Sequence, residues 1–166
     1  AFHTALAEGN LEFVTNLLDE VEEEELKDFI LNTPIADETL IIEGRKGWTV
    51  SIFFELPLAI AASSSSTDLF NFYMQNGCDV YLQDSKGNTI VHNLVQLSHN
   101  YPDIAINMYD CLLSNLHKHS DRKKLLTIKN GSKMTALEMA ADLCLPEMFL
   151  RLVNTDGAYR FYIRSI

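Results

Sequence analysis

Four stretches of the chain place apolar residues at helical spacing: Leu11-Val14-Leu17-Leu18, Leu69-Phe70-Phe72-Tyr73, Ile104-Met108-Leu112 and Met148-Phe149-Leu152. The spacing predicts amphipathic helices, each with one face turned to a core. A shorter and denser apolar run precedes each: Ala1-Phe2-His3-Thr4-Ala5, Leu56 to Ala62, Thr89 to Leu94 and Thr135 to Ala141. The pattern therefore predicts helix pairs. The punctuation fits, because Gly77 can take the positive φ that ends a helix and Asp84 with Gly87 suits a tight turn. Thr89 can cap the following helix, Gly9-Asn10 can turn the first pair, and Pro146 stands where a first helical N–H has no partner anyway.

The runs recur with a period. Pro57 to Ile90 is 33 residues, Ile90 to Ala136 is 46, and Ala1 to Pro57 is 56, so the last two exceed 33 by insertions of 13 and 23. Leu56-Pro57-Leu58-Ala59-Ile60-Ala61-Ala62 resembles the Thr-Pro-Leu-His-x-Ala signature that opens an ankyrin repeat, whose period is 33. The expected fold is all-α, an ankyrin-repeat solenoid of about four helix pairs near 1–20, 56–76, 89–115 and 135–154. Long finger loops join them, the longest over 21–55. The repeats are expected to occupy 1–157, and 158–166 is read as the β-prone start of a linker strand. One such pair cannot bury its apolar face alone, so stacking must supply the core.

Composition narrows the function classes. Hydrophobic residues make up 47% of the 166, enough for a core, and 13 Lys and Arg against 23 Asp and Glu give a charge of −10. Nucleic-acid and anionic-membrane binders need a clustered basic surface, which that balance disfavours. Seven acids and one Lys between Asp19 and Asp28 concentrate −6 there, read as a solvated helix end or loop. No apolar run approaches the ~20 residues of a membrane-spanning helix, and no signal peptide is visible. Cys78, Cys111 and Cys144 are an odd number at wide spacing, which suits a reducing compartment.

Catalytic and metal chemistry finds little purchase. No glycine-rich turn is followed by Lys-Ser/Thr, as a phosphate loop requires. His117 and His119 lie beside Lys118 and Arg122-Lys123-Lys124, whose charges oppose a bound cation. Ser63 to Ser66 has no base beside it and reads as a turn between helices. Glu22 to Glu25 lacks the alternate spacing of a calcium loop. His92 reads as a structural histidine bonded to the backbone of the adjacent repeat. The expectation is a non-enzyme with no cofactor and no metal.

Three motifs carry a narrower resemblance. Gly44-Arg45-Lys46-Gly47-Trp48, followed by Phe53-Phe54-Glu55-Leu56-Pro57-Leu58, is similar to a finger and repeat start of vanilloid-subfamily transient receptor potential cation channels. Gln83-Asp84-Ser85-Lys86-Gly87-Asn88-Thr89-Ile90-Val91-His92 and Met108-Tyr109-Asp110-Cys111-Leu112-Leu113 resemble two further runs of that family. Phe54 departs from the family's Gly, Lys133 replaces the Gly before the last repeat, and the first repeat lacks its opening Thr. The resemblance implies the cytosolic N-terminal domain of such a channel, on the cytoplasmic side of a membrane, meeting neighbouring subunits of a tetramer and regulatory proteins such as calmodulin. Nucleotide binding is not carried over, because Glu8-Gly9-Asn10 lacks the arginines of the family's site.

The candidate partner-binding residues are Arg45, Lys46, Trp48, Phe53 and Phe54 of the finger, with Tyr159, Phe161 and Tyr162 of the tail. Trp and Arg are the types that anchor interfaces, and an exposed aromatic strand invites edge pairing. A free-standing ankyrin adaptor binding a protein on its concave face is the alternative reading.

Overall fold

The computed structural model describes residues 2–35, 42–43, 49–50 and 54–159. Its helices are α1 (Phe2–Ala7), α2 (Leu11–Glu20), α3 (Glu24–Asn32), α4 (Pro57–Ser63), α5 (Thr67–Gln75), α6 (Ile90–Ser98), α7 (Pro102–Asn115), α8 (His119–Leu126), α9 (Ala136–Asp142) and α10 (Pro146–Val153). The one β pairing among the described residues is an antiparallel ladder of β1 (Ile42–Glu43) with β2 (Thr49–Val50). The fold is all-α in its core.

Consecutive helices pack as pairs, α1 with α2, α4 with α5, α6 with α7 and α9 with α10. The first helices also pack in series, α1 on α4, α4 on α6 and α6 on α9, while α5, α7 and α10 follow one another in a second row. This placement explains the two kinds of apolar run. All of Pro57 to Ala62 in α4 is buried, because a helix in the first row has neighbours on both sides and in front. The second helix of a pair buries one stripe: Val14 and Leu18 in α2, Leu69, Phe70 and Tyr73 in α5, Met148 and Leu152 in α10.

The turns inside three pairs share one conformation. Gly9, Ser65 and Cys144 have φ of 72°, 60° and 53°, and each amide donates to the carbonyl three residues back, at 3.1, 3.2 and 3.0 Å. Asn10 and Ser66 then accept from Phe13 N and Leu69 N and cap α2 and α5. Pro146 is at the start of α10.

Two helices lie in the insertions, one where the acidic run predicts a solvated helix end or loop and one where the sequence predicts loop. α3 lies inside the long finger, with Glu24 and Glu25 in its first turn, where the helix dipole favours anions, and Leu31 buried at its end. The acidic run concealed a helix because its apolar face is narrow. α8 occupies the insertion before α9, anchored by the buried pair Leu125 and Leu126. Arg122 Nε and Nη2 donate to Leu116 O and Leu113 O at 2.7 and 2.9 Å and so satisfy free carbonyls at the end of α7.

Two hairpins project between the pairs and have the same wiring. In the first, Asp84 N donates to Asn88 O and Gly87 N to Asp84 O, both at 2.9 Å. In the second, Asn130 N donates to Met134 O at 2.9 Å and Lys133 N to Asn130 O at 2.8 Å. The Asp84 and Asn130 side chains each accept two backbone N–H bonds inside their own turn. Gly87 (φ 75°) and Lys133 (φ 62°) hold the same left-handed position. The hairpins touch: Gly131 N donates to Lys86 O at 2.8 Å. A Cβ on Gly87 would lie 2.6 Å from Gly131 N.

A left-handed residue with a Cβ is disfavoured by about 1–2 kcal/mol. Lys133→Gly should therefore raise stability by roughly 0.5–1 kcal/mol, after the greater chain entropy of glycine is subtracted. Gly87→Ala should lower it by about 2 kcal/mol or more, because it adds a collision to the same backbone strain. Urea melts followed by far-ultraviolet circular dichroism measure both. Unchanged midpoints in the two variants would mean that the hairpins yield without strain.

Candidate interaction surface

The hairpins are fixed to the helices by side chains. His92, the third residue of α6, closes the helix start in a capping box with Thr89. Its Nδ1 accepts from Thr89 N at 3.2 Å and lies 2.9 Å from Thr89 Oγ1, and its Nε2 lies 2.9 Å from Met134 O in the next hairpin. That arrangement assigns the proton to Nε2 and leaves Nδ1 as an acceptor. Burial, opposed by the Met134 carbonyl and the Asp84 carboxylate, holds the His92 pKa below its ordinary value. Gln83 Nε2 donates to Gly87 O and Lys129 O at 2.6 and 3.1 Å and bridges the two hairpin bases.

On the other side the first hairpin is held by the end of the long finger. Glu55 accepts the Ser85 N–H at 2.8 Å and the Ser85 hydroxyl. These two bonds, the hydroxyl first, lower the Glu55 pKa, with Lys86 adding to the effect. Ile35 N donates to Glu55 O at 2.7 Å, and Asp79 N donates to Asn32 Oδ1 at 2.7 Å. The two ends of the finger thus meet the stack close together.

Of the candidate partner-binding residues, Arg45, Lys46, Trp48, Phe53, Phe161 and Tyr162 lie outside the described residues. Phe54 is 6% exposed and belongs to the core, where it cannot meet a partner without repacking. Tyr159 is half-buried, packed against the core, and its hydroxyl has no partner among the described residues. Burial pushes its pKa up. Beside it, Tyr109 Oη and Thr155 Oγ1 are 2.7 Å apart and hold the chain end to α7.

Among the described residues no group of His, Cys, Asp and Glu could hold a metal ion, and no helix is long and apolar enough to cross a membrane. A cleft lined by Leu31, Leu56, Cys78 and Leu82 has a volume of about 10 Å³, room for one water and far below the ~300–1,000 Å³ of small-molecule sites. What the molecule offers is surface. Two elements of that surface, α3 and α8, are short helices densely charged along their exposed faces.

No family model matches the chain. It is 31% identical over 150 residues, 85% of its length, to transient receptor potential cation channel subfamily V member 1 of Oryctolagus cuniculus. It is 31% identical over 68% of its length to subfamily V member 2 of Mus musculus, and 34% identical over 63% to subfamily V member 4 of the same species. The chain spans 16%, 16% and 13% of the length of these relatives. It thus resembles vanilloid-subfamily channels over most of its own length.

The His92 bonding has a consequence for acid stability. A protonated imidazole carries N–H on both nitrogens, so its Nδ1 would face the Thr89 N–H donor to donor. The folded pKa is depressed, so the unfolded chain binds the proton more tightly. The stabilisation is full above the unfolded value of about 6.5 and is lost as pH falls from there toward the folded value. The thermal midpoint should therefore drop between pH 7.5 and 5.5, and the drop should shrink in His92→Asn, a variant less stable at pH 7.5. An equal drop in both proteins would remove His92 as its source.

Proposed function

We propose that this chain, a relative of the vanilloid-subfamily cation channels, is an ankyrin-repeat domain on the cytoplasmic side of such a channel, working in subunit assembly and in contacts with regulatory proteins such as calmodulin. The observation that carries the reading is the 31% identity extending over 85% of the chain, to a protein named as a cation channel. The ankyrin assignment is supported by the paired helices in two rows and by hairpins of identical wiring, 46 residues apart. In this reading the repeats occupy 1–157, and 158–166 begins the linker toward the membrane. The long finger, with Arg45, Lys46, Trp48 and Phe53, meets the aromatic tail, Tyr159, Phe161 and Tyr162, of a neighbouring subunit. Such a heterologous contact closes around a ring, so each copy of it can be weak. The chain itself conducts nothing and carries out no catalysis.

A chimera tests this directly. The chain replaces the matched stretch of the rabbit subfamily V member 1 channel, and surface tetramers are measured by cross-linking alongside whole-cell current. Assembly and current are expected, and Trp48→Ala should weaken the finger contact by about 1–3 kcal/mol. A chimera that folds and reaches the membrane but stays monomeric would overturn the assembly role.

A further inference from the structure

The charge on this surface is segregated into two helices. Asp19, Glu20, Glu22, Glu23, Glu24, Glu25 and Asp28 are all exposed around the start of α3. Among the described residues only Glu24 of these acids has an ion partner, Lys27. α3 also presents two apolar side chains one turn apart, Leu26 and Phe29, 46% and 60% exposed. The opposite charge is gathered around α8. Six of the 13 cations lie between Lys118 and Lys133, against the single acid Asp121. Lys118 and Lys123 are exposed and pair with no carboxylate among the described residues. Lys124 lies 4.1 Å from the centroid of the Tyr81 ring.

Both helices flank one short segment. At residues 77–79, Asn32 of α3 bonds Gly77 O and Asp79 N. At Tyr81, the phenol donates to Asp121 O of α8 at 3.5 Å. An acidic element and a basic element are thus both tied to residues 77–82 of the same chain. An arrangement of that kind is self-complementary under a two-fold rotation: turning a second copy about an axis near 77–82 brings its α8 over the first copy's α3, and its α3 over the first copy's α8.

We propose that α3 and α8 form a reciprocal docking surface for a second copy of this chain. The two charged contacts form together, so each raises the effective concentration for the other. Lysine stems at α8 cover Leu26 and Phe29 while their ammonium groups meet the acids. Exposed ion pairs are individually weak, and the overall −10 opposes approach at long range, so the association is modest. It needs enough salt to screen the net repulsion, about 0.1 M with a Debye length near 10 Å, and is weakened well above that. The surface is distinct from the finger and tail contact, and it stands whether or not the chain belongs to a channel.

Charge exchange tests it. Sedimentation velocity on the 166-residue chain at about 100 μM, in about 0.1 M salt, should show a reversible dimer, with dissociation increased about tenfold in about 0.5 M salt. The variants Lys118→Glu/Lys123→Glu and Glu22→Lys/Glu25→Lys alter exposed side chains and should keep the native circular dichroism spectrum. Each alone should weaken the dimer, because like charges then face each other at the substituted positions, and an equimolar mixture should recover it, because the new glutamates of one variant then face the new lysines of the other. A wild-type monomer under these conditions overturns the proposal, as does a dimer unaffected by either variant or a mixture that stays monomeric. A monomer that instead binds phosphatidylserine vesicles through α8 would assign the basic face to a lipid surface and overturn it equally.

Discussion

The stack depends on one backbone contact, the Gly131 N–H donated to Lys86 O between adjacent hairpins. Packed helices of modest length can slide by a turn along their common groove with little loss of apolar burial. A hydrogen bond between hairpin tips cannot tolerate such a slip. It is possible only because Gly87 has no Cβ at the point of approach. It sets α6 against α9 so that His92 reaches Met134 O, and it brings Asn130 Nδ2 to 3.0 Å from Asn88 Oδ1. The apolar rows then supply most of the stabilisation, while the hairpins select which registration of the rows is native.

The parts of this arrangement legible in the sequence are those with a local cause. Gly77 and Gly87 stand at positive φ, Pro146 opens α10, and Thr89 caps the start of α6. Each follows from what one residue type can do with its own backbone. Apolar spacing showed the second-row helices for the same reason, since a stripe buried on one side leaves a periodic trace. The equivalence of Gly9, Ser65 and Cys144 was not legible, because two of the three carry side chains that give no sign of a left-handed turn.

The misses have a common physical origin in tertiary context. α3 and α8 are short helices whose polarity hides them, and they exist because Leu31, Leu125 and Leu126 are buried against the stack. Phe54 looked like a partner contact beside other aromatics, and nothing local distinguishes a buried phenylalanine from an exposed one. Its burial follows from Glu55 being tied to Ser85, which draws the end of the finger onto the hairpin.

Native-state hydrogen exchange at the Gly131 amide tests the account most directly. Gly131 is exposed, so only its bond to Lys86 O can protect that proton. If the hairpin contact sets the registration of the stack, the Gly131 amide should exchange with an opening free energy close to that of buried α6 amides such as Leu94, in one cooperative unit. Exchange at the rate of an open loop, with Leu94 still protected, would show that the rows stack without the hairpins and would contradict the account.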